Sequence, residues 1–320
     1  MTPLNLLEAH RLSCRYGPHQ AVNDLNLSLK KGEILGLLGA NGAGKSTTMK
    51  MLAGVLAPSN GHVTVNGISL AENPKAAKQQ LGYLPEQPPL YPELTVVEYL
   101  RFCSELREIP RKARTNAVNR AMVECDLQSL SKRLIGNLSK GYQQRCGIAQ
   151  AILHQPAIVI LDEPTVGLDP IQIRGIRRLI RTLGSERGIV LSSHILAEIQ
   201  TVCHRVVIMR QGRLVYDEPL SVADSKSFDT ILVGFARTPN LDELAAIQGI
   251  DGITALDDRR LRIAVVSGED PRAAIADTAV ARGWGLNELH AEFRTLEDVF
   301  VKLTARDDDA LTDQTTGTAA

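Results

Sequence analysis

A large α/β domain interrupted by a helical insert, followed by a smaller α+β unit, is the fold class predicted for this chain. Three observations predict it. Over residues 4–221, short β-branched runs alternate with longer helical patterns. Within that stretch, residues 95–150 are mostly helical in their periodicity, which marks an inserted subdomain. Beyond about Phe228 the elements read β-α-β-β-α-β, the order of a ferredoxin-like domain. The resulting boundaries are 1–222 for the first domain, 223–305 for the second and 306–320 for a tail.

Each element has its own signal. Leu25-Asn26-Leu27-Ser28-Leu29 alternates like a half-exposed strand, whereas residues 33–38 read as a buried one. A helix is expected over 45–55, ended by the turn Pro58-Ser59-Asn60-Gly61. Residues 62–65 and 82–84 are further strands. Thr95 and Glu98 have the spacing of a capping box, and apolar residues follow at helical spacing through Leu106. Pro110 separates this helix from a second one running to about Cys125. The α/β core resumes with a strand over 157–161, a helix over 171–183 and strands over 189–192 and 205–209. Gln211-Gly212 then turns the chain into a short strand over 214–216.

In the second domain, strands are expected over 231–233, 252–256, 261–266 and 286–292. Helices are expected over 241–247, over 271–282 with Pro271 in the first turn, and over 295–303. The end of the chain, with Asp307-Asp308-Asp309 and then Thr, Gly and Ala, reads as disordered.

Composition excludes several function classes. Lys and Arg number 36, as do Asp and Glu, so the zero net charge points to neither nucleic acid nor an anionic surface. Aromatics make up 4% of residues, too few for base-stacking platforms. The five cysteines include no C-x-x-C pair and read as reduced, mostly buried thiols. The first residues lack a basic segment followed by an apolar core, so no signal peptide is expected. No apolar run approaches the roughly 18–20 residues that span a bilayer. Any work at a membrane is therefore expected to go through a partner.

The chemistry is concentrated in a few motifs. Gly39-Ala40-Asn41-Gly42-Ala43-Gly44-Lys45-Ser46-Thr47 is a complete G-x-x-x-x-G-K-[ST] phosphate loop between a buried strand and a helix. Its glycines allow backbone N–H groups to wrap phosphates at a helix N-terminus, where the dipole favours anions. Lys45 is expected to reach the β- and γ-phosphates, and the Ser46 hydroxyl to ligate Mg²⁺. Ala157-Ile158-Val159-Ile160-Leu161-Asp162-Glu163 is an apolar strand ending in carboxylates. Beside a phosphate loop, Asp162 is expected to help hold the metal and Glu163 to act as general base toward water. Arg174, Arg177, Arg178 and Arg181 form one helical stripe, read as a solvated face. Contact with an acidic partner or with lipid headgroups is the second reading of that stripe. The remaining histidines show no metal-ligand spacing, and no Ser–His–Asp arrangement is legible.

Leu138-Ser139-Lys140-Gly141-Tyr142-Gln143-Gln144-Arg145 resembles the signature sequence of the ATP-binding cassette family, L-S-G-G-Q followed by Q and R. Signature, phosphate loop and acidic strand occur in that family's order, and the resemblance covers roughly residues 4–220. It implies a P-loop NTPase cassette with a helical signature subdomain, using ATP and Mg²⁺. It also implies that Ser139, Lys140, Gly141 and Tyr142 cap a γ-phosphate held by a second copy. Lys140 stands where the family has glycine, and Tyr142 where it has glutamine. An added cation near phosphate is compatible with that role.

Other positions are carried over from the family one by one. Tyr16 matches the aromatic that stacks on adenine. Glu86 or its neighbour Gln87 matches the Q-loop residue that meets the metal. Asp169, in Gly167-Leu168-Asp169, matches the D-loop at the dimer interface, and His194 matches the switch histidine on the γ-phosphate.

Within the family, Gly82-Tyr83-Leu84-Pro85-Glu86, Ser139-Lys140-Gly141 and Thr295-Leu296-Glu297-Asp298-Val299-Phe300 resemble the ATPases of ABC-2-type exporters. That resemblance implies a homodimer of cassettes on the inner face of a cell membrane, driving a separate integral membrane permease. A cassette acting on ribosomes or DNA is the rival reading, opposed by the lack of a second cassette or a long coiled coil. A non-hydrolysing regulatory cassette is opposed by the complete set Lys45, Ser46, Asp162, Glu163 and His194. No nucleic-acid partner is expected.

Overall fold

Apolar runs buried on both faces place the central strands, and bulges decide where the outer ones stop being readable. The computed structural model describes residues 5–220, 230–266, 268–292 and 300. Two compact units divide the chain at Leu220.

In the first unit, β1 (Asn5–Tyr16) and β2 (His19–Lys30) form an antiparallel hairpin with Tyr16 opposite His19 at its tip. Only 25–29 of this hairpin was legible as strand. The pairing shifts register between Ala9 and Leu12, and Arg11 and Asp24 take φ values of 50° and 52°. Such irregularities break the two-residue alternation on which strand reading depends. Strand β3 (Ile34–Leu38) is buried throughout and leads through the phosphate loop into α1 (Lys45–Leu52). This helix is shorter than the expected 45–55, because Gly54 reverses the chain at φ 67°. Strands β4 (Asn60–Val65) and β5 (Ile68–Ser69) complete a four-stranded sheet in the order β2-β1-β4-β5. A short α2 (Pro74–Gln79), capped by the Asn73 side chain, precedes β6 (Leu81–Leu84).

The helical insert then begins. Helix α3 (Val96–Leu106) starts with the expected capping box: Glu98 N–H donates to Thr95 Oγ1 at 3.4 Å, and Thr95 N–H to Glu98 Oε2 at 2.9 Å. The Thr95 hydroxyl, which donates to Glu98 Oε2 at 2.6 Å, and then the Thr95 N–H hold the Glu98 carboxyl below its ordinary range. Helix α4 (Arg111–Glu124) follows, then two 3₁₀ turns, then α5 (Lys140–Ile152), buried along most of its length.

Beyond the insert come β7 (Ile158–Leu161), α6 (Pro170–Gly184), β8 (Gly188–Ser193), α7 (Leu196–Val202), β9 (Arg205–Arg210) and β10 (Arg213–Pro219). The main sheet has the order β10-β9-β3-β8-β7-β6, parallel except at the β10-β9 edge. Gly36 of β3 lets α7 lie against the sheet, since a Cβ there would come 2.6 Å from the Ile199 side chain. Because β3, β7 and β8 run parallel, Gly39, Asp162 and His194 all emerge at one edge.

The second unit contains β11 (Thr230–Phe235), α8 (Leu241–Ala245), β12 (Ile250–Ala255), β13 (Arg260–Val265), α9 (Arg272–Ala281) and β14 (Leu286–Glu292). Its sheet is antiparallel in the order β12-β13-β11-β14. Phe235 and Trp284 meet edge-on at 5.7 Å inside its core. Pro271 precedes α9 as its N-cap rather than entering the first turn. The expected 295–303 helix, apart from Phe300, and the 306–320 tail lie outside the described residues.

All five cysteines are buried and unpaired, and burial pushes the Cys146 thiol up to about 12. Among the described residues no helix is long and apolar enough to cross a membrane.

Candidate functional site

At the sheet edge where β3, β7 and β8 end, a cavity of about 470 Å³ opens over the phosphate loop. The loop's shape depends on glycine. Gly42 and Gly44 take φ values of 82° and 102°, and a Cβ on Gly44 would come 2.5 Å from the Ala21 carbonyl oxygen. Gly39 has the same constraint by proximity, with the Met209 carbonyl oxygen 2.6 Å from a Cβ built there. Ala43 fixes the loop from outside, its carbonyl accepting from Gly212 N–H at 3.0 Å. Neither Gly39 nor Ala43 lines the cavity, whereas Asn41, Gly42, Gly44, Lys45, Ser46 and Thr47 do.

Lys45 is 6% exposed, and its ammonium donates to the carbonyls of Gly39 at 2.8 Å and Ala40 at 3.2 Å. It also lies 3.4 Å from Glu163 Oε1. The other oxygen of Glu163, Oε2, is 2.9 Å from His194 Nδ1. One carboxylate is therefore shared between an ammonium and an imidazole. Glu163 is 7% exposed and has φ 48°, a left-handed backbone that non-glycine residues seldom adopt.

Behind this group, Asp162 Oδ1 accepts from Ser46 Oγ at 3.3 Å and from Ser192 Oγ at 2.7 Å. Ser192 Oγ in turn accepts from Glu163 N–H at 2.8 Å, so one hydroxyl ties both carboxylate residues to β8. Glu86 lines the cavity and Gln87 does not. Of the two candidates at this position, Glu86 is the one on the cavity wall. Among the described residues no cluster of three or more His, Cys, Asp or Glu could hold a metal unaided. Hydroxyl and carboxylate oxygens on Ser46, Asp162 and Glu86 are nevertheless the hard donors that suit Mg²⁺ shared with phosphate.

Tyr16 lines the same cavity and is 49% exposed. His19, its hairpin partner, also lines it and had no signal of its own in the sequence. Ser192 was equally unmarked, because its partners lie on a different strand.

The signature residues are elsewhere. Ser139 is the N-cap of α5, with no side-chain cap hydrogen bond, and Tyr142 is 39% exposed. Ser139, Gly141 and Tyr142 line a second depression of about 350 Å³ that shares no residue with the first. Asp169 lines it too, and its carboxylate caps α6 by accepting from the N–H groups of Ile171 and Gln172 at 2.9 Å. Lys140 leans toward the same loop, its Nζ lying 3.8 Å from a Cβ built on Gly167.

The arginine stripe is not uniformly solvated. Arg174, Arg178 and Arg181 are exposed, but Arg177 turns inward to lie 3.6 Å from Glu198, a residue on α7. The helix interface, not solvent, takes that charge.

Comparison with known proteins agrees with this geometry. The family model described as "ABC transporter" matches residues 22–166. The bacitracin transport ATP-binding protein BcrA of Bacillus licheniformis is 40% identical over 67% of this chain and 70% of its own length. The linearmycin resistance ATP-binding protein LnrL of Bacillus subtilis is 30% identical over 94% of this chain and 99% of its own. A solved ATP-binding subunit of an ABC transporter superposes with a TM-score of 0.61 at 34% identity, over 67% of this chain and 90% of that one. The chain belongs to the ABC transporter family, as one of its ATP-binding, ATP-hydrolysing proteins.

Proposed function

We propose that this ATPase drives export through a separate integral membrane permease, working as a homodimer of cassettes that close on two ATP molecules. The observation that carries the reading is the division of labour between the two depressions. Lys45, Glu163 and His194 converge in one, while Ser139 stands exposed at a helix N-terminus in the other. A helix N-terminus attracts anions, and the depression at this one is lined by no residue of the phosphate loop. A second copy supplies what is missing: its ATP, held on Lys45, meets Ser139, Lys140, Gly141 and Tyr142 across the interface, with Asp169 at the contact.

In this reading Tyr16 stacks on adenine and the loop amides of Asn41, Gly42, Gly44 and Thr47 wrap the phosphates. Ser46, Asp162 and Glu86 are the residues that would hold Mg²⁺. When bound, that ion neutralises phosphate charge. Glu163 takes a proton from the attacking water, and His194, already on its Oε2, orients it and meets the γ-phosphate. Residues 1–222 are assigned to the ATPase domain and 223–305 to an accessory domain. The antiparallel order β12-β13-β11-β14 supports a ferredoxin-like reading of the latter. Relatives named for bacitracin transport and linearmycin resistance support the export direction. In the same reading the chain works on the inner face of the cell membrane, held there through the permease.

Purification of the tagged chain from solubilised membranes tests the partnership. The expected result is co-purification of one integral protein in stoichiometric amount. Recovery of ribosomes or DNA instead would sink the export reading. Two substitutions test the nucleotide site. Tyr16→Ala is expected to weaken ATP binding about 5–150-fold, the range set by losing one base–aromatic stack. Gly44→Ala forces a side chain toward the Ala21 carbonyl at an adverse φ, and is expected to weaken it at least tenfold. Both are read by titration with a fluorescent ATP analogue, and native affinity in either removes that residue from its role.

A further inference from the structure

Behind the cavity, the two loops that carry Glu163 and His194 are joined by a carboxylate belonging to neither. Glu198 sits on α7, four residues after His194, and is 4% exposed. Its Oε2 accepts from Thr165 Oγ1 at 2.6 Å and from Ser193 Oγ at 3.0 Å. Thr165 lies two residues after Glu163, and Ser193 is the residue before His194. Both hydroxyls are themselves buried, and Ser193 Oγ also accepts from Ile195 N–H at 3.0 Å. Arg177 of α6 supplies the countercharge at 3.6 Å from Oε1.

A buried carboxylate without partners is strongly destabilising, whereas one with two hydroxyl donors and a guanidinium is satisfied and stiff. Because one oxygen takes both hydroxyls, it sets the separation of the two loops. The Glu163–His194 contact of 2.9 Å lies between those loops, on the cavity side.

We propose that Glu198 is a positioning residue for hydrolysis: through Thr165 and Ser193 it holds Glu163 and His194 in reacting register. The proposal rests on the roles given to those two residues above. Glu198 itself does not line the cavity. A displacement of about 1 Å at a reacting group slows an enzyme on the order of a hundredfold, so a small relaxation here has a large effect. The phosphate loop is tied down by other contacts, among them the bond from Gly212 N–H to the Ala43 carbonyl.

The test is steady-state ATP hydrolysis by the full chain, with rates normalised to sites counted by binding of a fluorescent ATP analogue. Glu198→Gln, which sets an amide NH2 against either the two hydroxyls or the Arg177 guanidinium, is expected to lower kcat at least tenfold while KM for ATP stays within twofold. Thr165→Val, which removes one hydroxyl at nearly constant volume, is expected to lower kcat at least threefold and serves even if Glu198 variants fold poorly. In single-turnover experiments, Glu163→Gln combined with Glu198→Gln is expected to lose less than the product of the two single losses, since the part of the effect that runs through Glu163 is already gone. A kcat within twofold of native in Glu198→Gln, or losses that multiply in the double variant, would overturn the positioning role. Native turnover in Glu163→Gln would sink the general-base reading instead, which the Glu198 results alone cannot do.

Discussion

Glu163→Gln is expected to lower ATP turnover by about 10²–10⁴-fold, the usual worth of a positioned general base, while leaving ATP binding nearly intact. The amide has the same length and volume and suffers the left-handed φ of 48° no more than the acid does. Its oxygen can still receive His194, and Lys45 keeps its bonds to the Gly39 and Ala40 carbonyls. What disappears is the ability to accept a proton from water. With ATP bound and unhydrolysed, closed dimers should accumulate, and gel filtration with and without nucleotide reads them directly. Native turnover would remove Glu163 from its role. Lost turnover without ATP-dependent dimers would separate hydrolysis from association and weaken the two-copy reading.

The parts of this site legible in the sequence are those whose partners lie close along the chain. The phosphate loop needs a glycine pattern, a lysine and a hydroxyl within nine residues, and the strand before Asp162 announces itself by being wholly apolar. The parts that were not legible depend on strand neighbours. Ser192 bridges Asp162 and Glu163 only because β8 lies beside β7, and Glu198 reaches Thr165 only because α7 folds back under the same edge. Arg177 shows the limit most clearly. Its spacing with Arg174, Arg178 and Arg181 specifies a shared helix face, but a buried acid on another helix decides that it turns inward.

The fold shows the same division. Runs buried on both faces, such as β3 and β7, were readable from composition, because nothing polar interrupts them. The β1–β2 hairpin outside 25–29 was not, since its bulges and the positive φ of Arg11 and Asp24 shift the alternation midway. At the site, a choice between Glu86 and Gln87 could not be made by spacing, for adjacent residues differ only in the face they present. The loop after β6 turns Glu86 to the cavity.

A mixing experiment carries the second large effect. Lys45→Ala alone should be inactive, because both composite sites of its homodimer lose the phosphate-binding ammonium. Gly141→Asp alone should be inactive too: its added carboxylate stands in the first turn of α5, where the phosphate must approach, and its Cβ would crowd Gln172 at 2.8 Å. If each site takes Lys45 from one copy and Gly141 from the other, a mixed dimer contains one site with both native halves. Random pairing makes half the dimers mixed, so an equimolar mixture should recover about a quarter of native turnover. A site built within one copy predicts the opposite, because then every site in the mixture carries a defect. Turnover of the mixture no greater than that of either variant would show that the exposed N-terminus of α5 serves something other than a neighbour's phosphate.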